Sequence, residues 1–319
     1  MTCCSTLPFS VTPLGEKHTP GVMITGLTPE GIADGATHSI LRSLWQAHGV
    51  VVFRGLNGTD THLDLSRVFG TLTAHPSRTA MNSANQELSD IGYTADNGNL
   101  IMIDGQEIGA FLPWHSDLVY FAEINRGGIL RAIEPSRTGG MTGFVDKVAA
   151  WARLPGELKA RCAGLWVTYW GDFRIESSRY ARGAVQIRSS RNHQQIVAKR
   201  DHFPVVAHPL VCAHPGTGET MLNFSPWFAT GIEGMNEAAA FALLDELYGF
   251  IDDPVYAYFH RWQPEDMVLW DNWRMLHSST GVPADDRRIM QRTTIMGDYG
   301  LGKVLTDTPQ SVTLERISV

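Results

Sequence analysis

Short β-branched and apolar runs, broken by Gly, Pro, Asn and Asp, dominate this chain, and apolar residues recur at helical spacing in only a few stretches. Val22-Met23-Ile24-Thr25 reads as a strand, and Val50-Val51-Val52-Phe53, bounded by Gly49 and Gly55, as a strand buried on both faces. Helical spacing predicts one helix over residues 31–48, with Ile40, Leu41, Leu44 and Trp45 on one side, and another over 59–70, where Asp60 is the expected N-cap and Leu65, Val68 and Phe69 share the buried face. Beyond residue 71 come short strand signals: Ile101-Met102-Ile103, residues 128–133, Gly143-Phe144-Val145, residues 220–224, Met267-Val268-Leu269-Trp270 and residues 293–296. Two helices interrupt them, over 148–162 and over 236–250, the second with Phe241, Leu244, Leu247 and Tyr248 as its stripe. Residues 1–20 read as a leader into the fold, and the long spacers 77–112 and 173–203 as lid or insert segments, because long irregular segments in a compact domain are mostly lids, binding loops or disorder. Many short strands with turn signals and a few helices indicate a mainly β sandwich or barrel with flanking helices.

Composition narrows the function classes. A chain of 319 residues that is 43% hydrophobic and 18% charged has ample material for a core. Thirty-three acidic against 26 basic side chains give a net charge of −7, which argues against a nucleic-acid surface. No stretch approaches the roughly 20 apolar residues of a membrane span, and the N-terminus does not read as a signal peptide. The four cysteines, Cys3, Cys4, Cys162 and Cys212, form no disulfide or zinc framework, so reduced thiols in a cytoplasmic protein are expected.

The chemistry concentrates in His115-Ser116-Asp117 and the distant His277. Two histidines and one carboxylate on one face of a metal, with the remaining positions open, hold non-haem iron(II) for oxygen chemistry. On an extended strand His115 and Asp117 share a face and Ser116 points away. For any one of twelve histidines an ordinary structural role is the commoner reading; here two arginines downstream of His277 shift the balance. Alternation puts Arg288, Met290 and Arg292 on one strand face, and a guanidinium fork binds a carboxylate bidentately. Arg287, which follows Asp285 and Asp286, is expected on the solvated face.

These residues resemble the taurine dioxygenase / 2,4-D dioxygenase (TauD/TfdA) family of iron(II)/2-oxoglutarate-dependent oxygenases. The matching blocks, in the family's order, are Phe69-Gly70 with His75-Pro76, residues 114–117, Thr138-Gly139-Gly140-Met141-Thr142, His208-Pro209, His214-Pro215 with Gly218, residues 262–266, Trp270-Asp271-Asn272, His277 and residues 287–292. The resemblance implies one oxygenase domain over 1–319, a double-stranded β-helix (jelly-roll) core, and the two spacers closing over its open end. It implies Fe(II) held by His115, Asp117 and His277, with 2-oxoglutarate and O2 as co-substrates. Arg288, helped by the Thr142 hydroxyl, would take the distal carboxylate of 2-oxoglutarate. Arg292 and His75 match residues that grip an anionic substrate in relatives, the competing reading for Arg292 being a bond to the metal-bound carboxylate of 2-oxoglutarate.

Near the substrate the chain departs from the taurine enzyme: Phe111 replaces a polar residue and Arg78 a tyrosine, which favours a more apolar substrate body. Phe111, Trp114, Tyr120, Phe224, Trp227 and Phe228 are candidates for an aromatic wall, with Phe111, Trp114 and Phe228 assigned to substrate, against the alternative that they are core. The implied reaction hydroxylates an unactivated C–H bond of a small, anionic, partly apolar or aromatic molecule, while 2-oxoglutarate is oxidatively decarboxylated to succinate and CO2. Asp117 argues against halogenation, since related halogenating enzymes carry a small residue there. Desaturation, cyclisation and epimerisation start from the same hydrogen abstraction and stay open, as does a non-catalytic jelly roll that binds a metal or anion. Relatives imply a homo-oligomer, dimer or tetramer. Asp271 and Asn272 are expected to fix the turn before His277, and His208 and His214 to be scaffold.

Overall fold

The apolar runs pair into two largely antiparallel sheets that face each other in this computed structural model, which describes residues 8–16, 18–74, 82, 84–96, 98–189 and 203–306. We number the core strands β1 Val50–Arg54, β2 Gln106–His115, β3 Gly127–Glu134, β4 Thr142–Asp146, β5 Ala257–His260, β6 Met267–Asp271, β7 Met275–Pro283 and β8 Arg288–Ile295. Their order is β1-β6-β3-β8 in an eight-stranded sheet and β2-β7-β4-β5 in a six-stranded one. The strands alternate between the two sheets except at β4 and β5, which pair with each other in the six-stranded one, and this is the expected double-stranded β-helix.

Burial explains the strand compositions. In β1 and β6 every apolar residue is buried, because both faces are covered. Val51, Phe53, Met267 and Leu269 face the N-terminal helices, whereas Val50, Val52, Val268 and Trp270 meet Phe144, Met275 and Met290 between the sheets. The outer face of the small sheet buries Trp114, Val145 and Leu276 against helix Glu237–Ile251 and a four-stranded sheet that includes Trp166–Tyr169 and Val206–Pro209.

Several expected helices are shorter or divided. The 31–48 segment becomes Pro29–Ala33 and Gly35–His48, and Asp34 between them caps the second by accepting from Ala36 N. Residues 148–162 divide into Lys147–Arg153 and Gly156–Cys162 at Pro155, whose ring disfavours helical geometry before it. Helix Thr59–Phe69 has Gly58 at its N-cap with no side-chain cap bond, so Asp60 lies in the first turn and is not the cap. The 77–112 spacer is largely sheet where it is described: Leu88–Tyr93 pairs with β8, Leu100–Ile103 with β2, and β2 itself begins at Gln106. Gln186–Ser189, from the second spacer, pairs with Leu100–Ile103. Among the described residues no helix is long and apolar enough to cross a membrane.

The connection from β6 to β7 carries a buried polar cluster. Asp271, fully buried, accepts from Trp273 N at 3.0 Å and Arg274 N at 3.3 Å. Its other oxygen meets Arg126 Nη2 and His214 Nε2, each at 3.1 Å. His214 Nδ1 accepts from Gly216 N and Thr217 N, so Nε2 carries the proton donated to Asp271. The sequence expectation for Asp271 and His214 as scaffold is met.

Replacing Asp271 by alanine leaves the largely buried Arg126 guanidinium without its carboxylate and the Trp273 N–H without its acceptor, and should cost about 3 kcal/mol in urea-unfolding free energy. Two other buried carboxylates set the acid limit. Burial alone would raise Asp266, but bonds from Arg54, His260 and the Gln263 N–H pull it from 3.8 to about 2. Asp286 is likewise pulled to about 2, against burial, by Ser136 and the N–H groups of Arg287 and Thr138. Depressed carboxylate values contribute stability that is present above the unfolded value and lost as pH falls through the folded one. Unfolding free energy should therefore drop between about pH 4 and pH 2, and urea titrations across that window should show a shallower drop in Asp286→Asn.

Candidate metal and co-substrate site

β2 ends at His115, which lies directly opposite His277 of β7 in the antiparallel ladder. Opposed residues point to the same side of a sheet, so the two imidazoles lie side by side with ring centroids 4.1 Å apart. Asp117 is not on the strand, as the sequence suggested, but in the turn beyond it, where Leu118 takes φ 57°. That turn swings its carboxylate back toward the rings. Asp117 Oδ1 lies 3.9 Å from His115 Nε2 and 3.6 Å from His277 Nε2, and the three donor atoms fall within 4.8 Å of one another.

Hydrogen bonds fix this turn. Asn272, between β6 and β7, accepts from Asp117 N at 2.7 Å and donates back to Asp117 O at 3.0 Å. The same amide also donates to Asn125 O and Oδ1. One side chain therefore joins the Asp117 turn to the hairpin that leads into His277, a larger role than local turn fixing. Ser116 N donates to Ser225 Oγ at 2.9 Å, and Ser116 is buried, not turned out to solvent.

The electrostatics suit a divalent cation. His115 Nδ1 lies 2.7 Å from Pro113 O, which can only accept, so Nδ1 holds the proton and the Nε2 lone pair faces Asp117. Burial, then the neighbouring His277, push His115 down to about 3, keeping it neutral. Burial works to raise Asp117, but the Arg292 guanidinium and the two imidazoles outweigh it and hold the carboxyl well below its usual range. Two imidazoles and one ionised carboxylate form the donor set of a facial metal site.

The two arginines reach this site from the opposite sheet, on the β8 face that alternation assigned them. Arg292 places Nη2 2.8 Å from Asp117 Oδ2 and Nη1 3.3 Å from Oδ1, lies over the Trp270 ring at 5.2 Å, and keeps Nε unpartnered. Arg288 is 4% exposed, and among the described residues no carboxylate lies within 4 Å of it. Burial lowers it to about 10, and its Nε has no partner. Its one bond is from Nη2 to Thr142 Oγ1 at 3.3 Å. Trp262 Nε1 donates to the same oxygen at 3.0 Å, so the hydroxyl proton of Thr142 is left to be given elsewhere. Arg287 instead is exposed and pairs with Glu134, as expected of the solvated face.

The aromatic candidates divide. Phe228 and Trp227 stack at 4.4 Å and present their rings to His115 at 6.3 and 5.1 Å. Tyr120, Phe173 and Phe203 pack behind Phe228. Trp114 does not line the site: adjacent strand residues face opposite ways, so beside an inward His115 it turns into the outer core, its Nε1 donating to Asp252 Oδ1 at 2.8 Å. Phe224 is also outer core. A bulge in β2 between Leu112 and His115 pairs Leu112, not Pro113, with Ser279, the residue two beyond His277. Phe111 sits opposite Thr280, so the spacing from His115 that nominated it is broken by the extra residue. His75 and Arg78 lie outside the described residues, as do Cys3 and Cys4. Sequence reasoning missed Trp262 and Ser225 as partners; the block 262–266 was the available signal for the first, and nothing local marked the second.

Comparison with known proteins agrees with this geometry. The profile of the family described as "Taurine catabolism dioxygenase TauD, TfdA family" matches residues 13–294. An (S)-phenoxypropionate/alpha-ketoglutarate-dioxygenase of Sphingobium herbicidovorans is 30% identical over 298 residues, covering 91% of this chain and 96% of the relative. An alpha-ketoglutarate-dependent 2,4-dichlorophenoxyacetate dioxygenase of Cupriavidus pinatubonensis is 30% identical over 269 residues, covering 81% and 88%. Among solved structures, a taurine dioxygenase from Burkholderia xenovorans superposes with a TM-score of 0.72 over 97% of this chain and 98% of its own at 22% identity, a likeness of fold. With a profile match over most of its length and a relative at 30% identity over nearly all of it, the chain belongs to the TauD/TfdA family of alpha-ketoglutarate-dependent dioxygenases.

Proposed function

We propose that this dioxygenase binds Fe(II) through His115, Asp117 and His277, binds 2-oxoglutarate through Arg288 and Thr142, and hydroxylates an unactivated C–H bond of a small anionic substrate with an apolar or aromatic body. The observation that carries the reading is Arg288: a buried guanidinium with no carboxylate partner among the described residues, set across the sandwich from a two-histidine, one-carboxylate cluster. A buried charge without a counter-ion is costly, and an arriving carboxylate would relieve that cost with two charge-assisted bonds. The metal, when bound, supplies oxygen activation coupled to decarboxylation of 2-oxoglutarate.

The chain's own residues do the rest. Pro113 O holds His115 in the tautomer that leaves Nε2 free to coordinate. Asn272 holds the Asp117 turn, and Arg292 keeps the carboxylate ionised. Thr142, already accepting from Trp262 and Arg288, donates to the incoming anion. Trp227 and Phe228 shield one side of His115 from water. Arg292 has Nε left for an anionic group of the substrate, and the aromatic wall offers a surface for its body. Aryloxy acids, named in two relatives, have this combination of anion and ring.

Anaerobic addition of Fe(II) and 2-oxoglutarate should produce a visible metal-to-ligand charge-transfer band that needs both components; iron bound without that band would sink the reading. Asp117→Ala should reduce turnover by at least about 100-fold, the scale of losing a group essential to the metal site. Arg288→Ala should raise the apparent KM for 2-oxoglutarate by about 10- to 100-fold, on the order of 1.5–3 kcal/mol for a lost charge-assisted bond. The role of Arg292 is tested within one variant: Arg292→Ala should lose the preference for an aryloxy acid over its methyl ester, and an unchanged ratio would remove the assignment.

A further inference from the structure

Behind the metal-ligand turn lies a lysine with no place in the scheme above. Lys147 is 1% exposed, yet among the described residues no carboxylate lies within 4 Å of its Nζ. The two carboxylates whose charge acts on it are committed elsewhere: Asp146 to Arg274, and Asp271 to Arg126 and His214. The ammonium instead donates to neutral oxygens, Asn223 Oδ1 at 3.0 Å and Ser116 Oγ at 3.4 Å. Burial pushes the amine down to about 8, a measure of how poorly the site solvates a charge. An apolar side chain of the same length would fill this space at lower cost.

The location gives those bonds a purpose. Ser116 is the residue between His115 and Asp117. The backbone of Lys147 is rigid: its N–H donates to Arg274 O, and Asp146 before it caps helix Lys147–Arg153 and lies opposite Met275 in the β4–β7 ladder. Asn223, its other partner, donates to Pro209 O and to Tyr299 Oη, while Tyr169 Oη accepts from Ser225 N, whose side chain accepts from Ser116 N. Ser116 is thus held at its N–H by Ser225 and at its hydroxyl by Lys147, from an element fastened to the strand that carries His277.

We infer that Lys147 is a positioning residue for the metal site, holding the Ser116 hydroxyl so that the turn presents Asp117 to the two histidines. This deepens the proposed function and rests on its metal assignment. Two consequences separate it from a packing role. Removing the charge should weaken metal binding without weakening the fold, and its effect should run through Ser116.

The test is the Mn(II) dissociation constant by EPR titration of the full chain, with and without 2-oxoglutarate, for the wild type, Lys147→Met, Ser116→Ala and the double variant, beside the melting temperature of each metal-free protein. Lys147→Met should bind Mn(II) about 10- to 100-fold more weakly, the range for groups that orient metal ligands, with an unchanged or higher melting temperature. Ser116→Ala should show a smaller loss, and the double variant no more than Lys147→Met alone. Wild-type affinity in Lys147→Met, or losses that add in the double variant, would overturn the inference. If Lys147→Met does not fold, Ser116→Ala decides, because it removes one hydroxyl: wild-type affinity there overturns the inference, and weakened affinity supports it. A His277→Ala control separates the two levels. If it binds Mn(II) as the wild type does, the metal assignment itself fails; if it loses binding while Lys147→Met keeps it, only the role of Lys147 fails.

Discussion

Everything at this site depends on one ladder contact, the pairing of His115 with His277 across β2 and β7. A strand pair has a period of two, and a slip of one residue would turn either imidazole to the outer face. Register here is set by apolar packing on both sides: Trp114 and Leu276 must reach the helix-side core, and Met275 and Phe144 the core between the sheets. The two imidazoles therefore inherit their facing from hydrophobic neighbours outside the site.

The carboxylate is controlled differently. Asp117 stands past the end of β2, where no ladder holds it, and its position comes from side-chain to backbone bonds with Asn272 and Ser225 and from the guanidinium of Arg292. The two histidines thus belong to a rigid ladder, while the acid belongs to a polar network reaching both sheets. Buried polar networks of this kind are stable only when nearly every member is satisfied. The exceptions at this site are Arg288 Nε, Arg292 Nε, Asp117 Oδ2 and His277 Nδ1, which lack hydrogen-bond partners. Under the proposed function, these are the groups that a metal, an anionic co-substrate and an anionic substrate would engage.

Family membership and local geometry reach the same reaction class by separate routes, and they part at the substrate. The relatives' names range over aryloxy acids, sulfate esters, a sulfonate and pentalenolactone, while this chain packs Trp227 and Phe228 beside His115, backed by Tyr120, Phe173 and Phe203. Part of the second spacer thereby supplies the wall through Phe173, whereas much of the first is sheet, which makes it scaffold as much as cover.

Periodicity alone was enough to locate β1, β6 and most helices, because continuous apolar runs and helical stripes are local consequences of burial. It failed at Asp34 and Pro155, where capping and ring sterics divide helices whose apolar pattern runs on. The clustering of His115, Asp117 and His277 and the shared face of the two arginines were legible because residue type and strand alternation are sequence properties. The placement of Trp114 and Phe111 was not: strand faces follow from register, and the bulge between Leu112 and His115 cannot be counted from spacing. Nor could the sequence announce the bond from Lys147 to Ser116, the Asn272 link between two turns, or the missing counter-ion of Arg288. Each depends on groups far apart in the chain meeting, or failing to meet, in a site closed to water, and only the packing of the two sheets decides that.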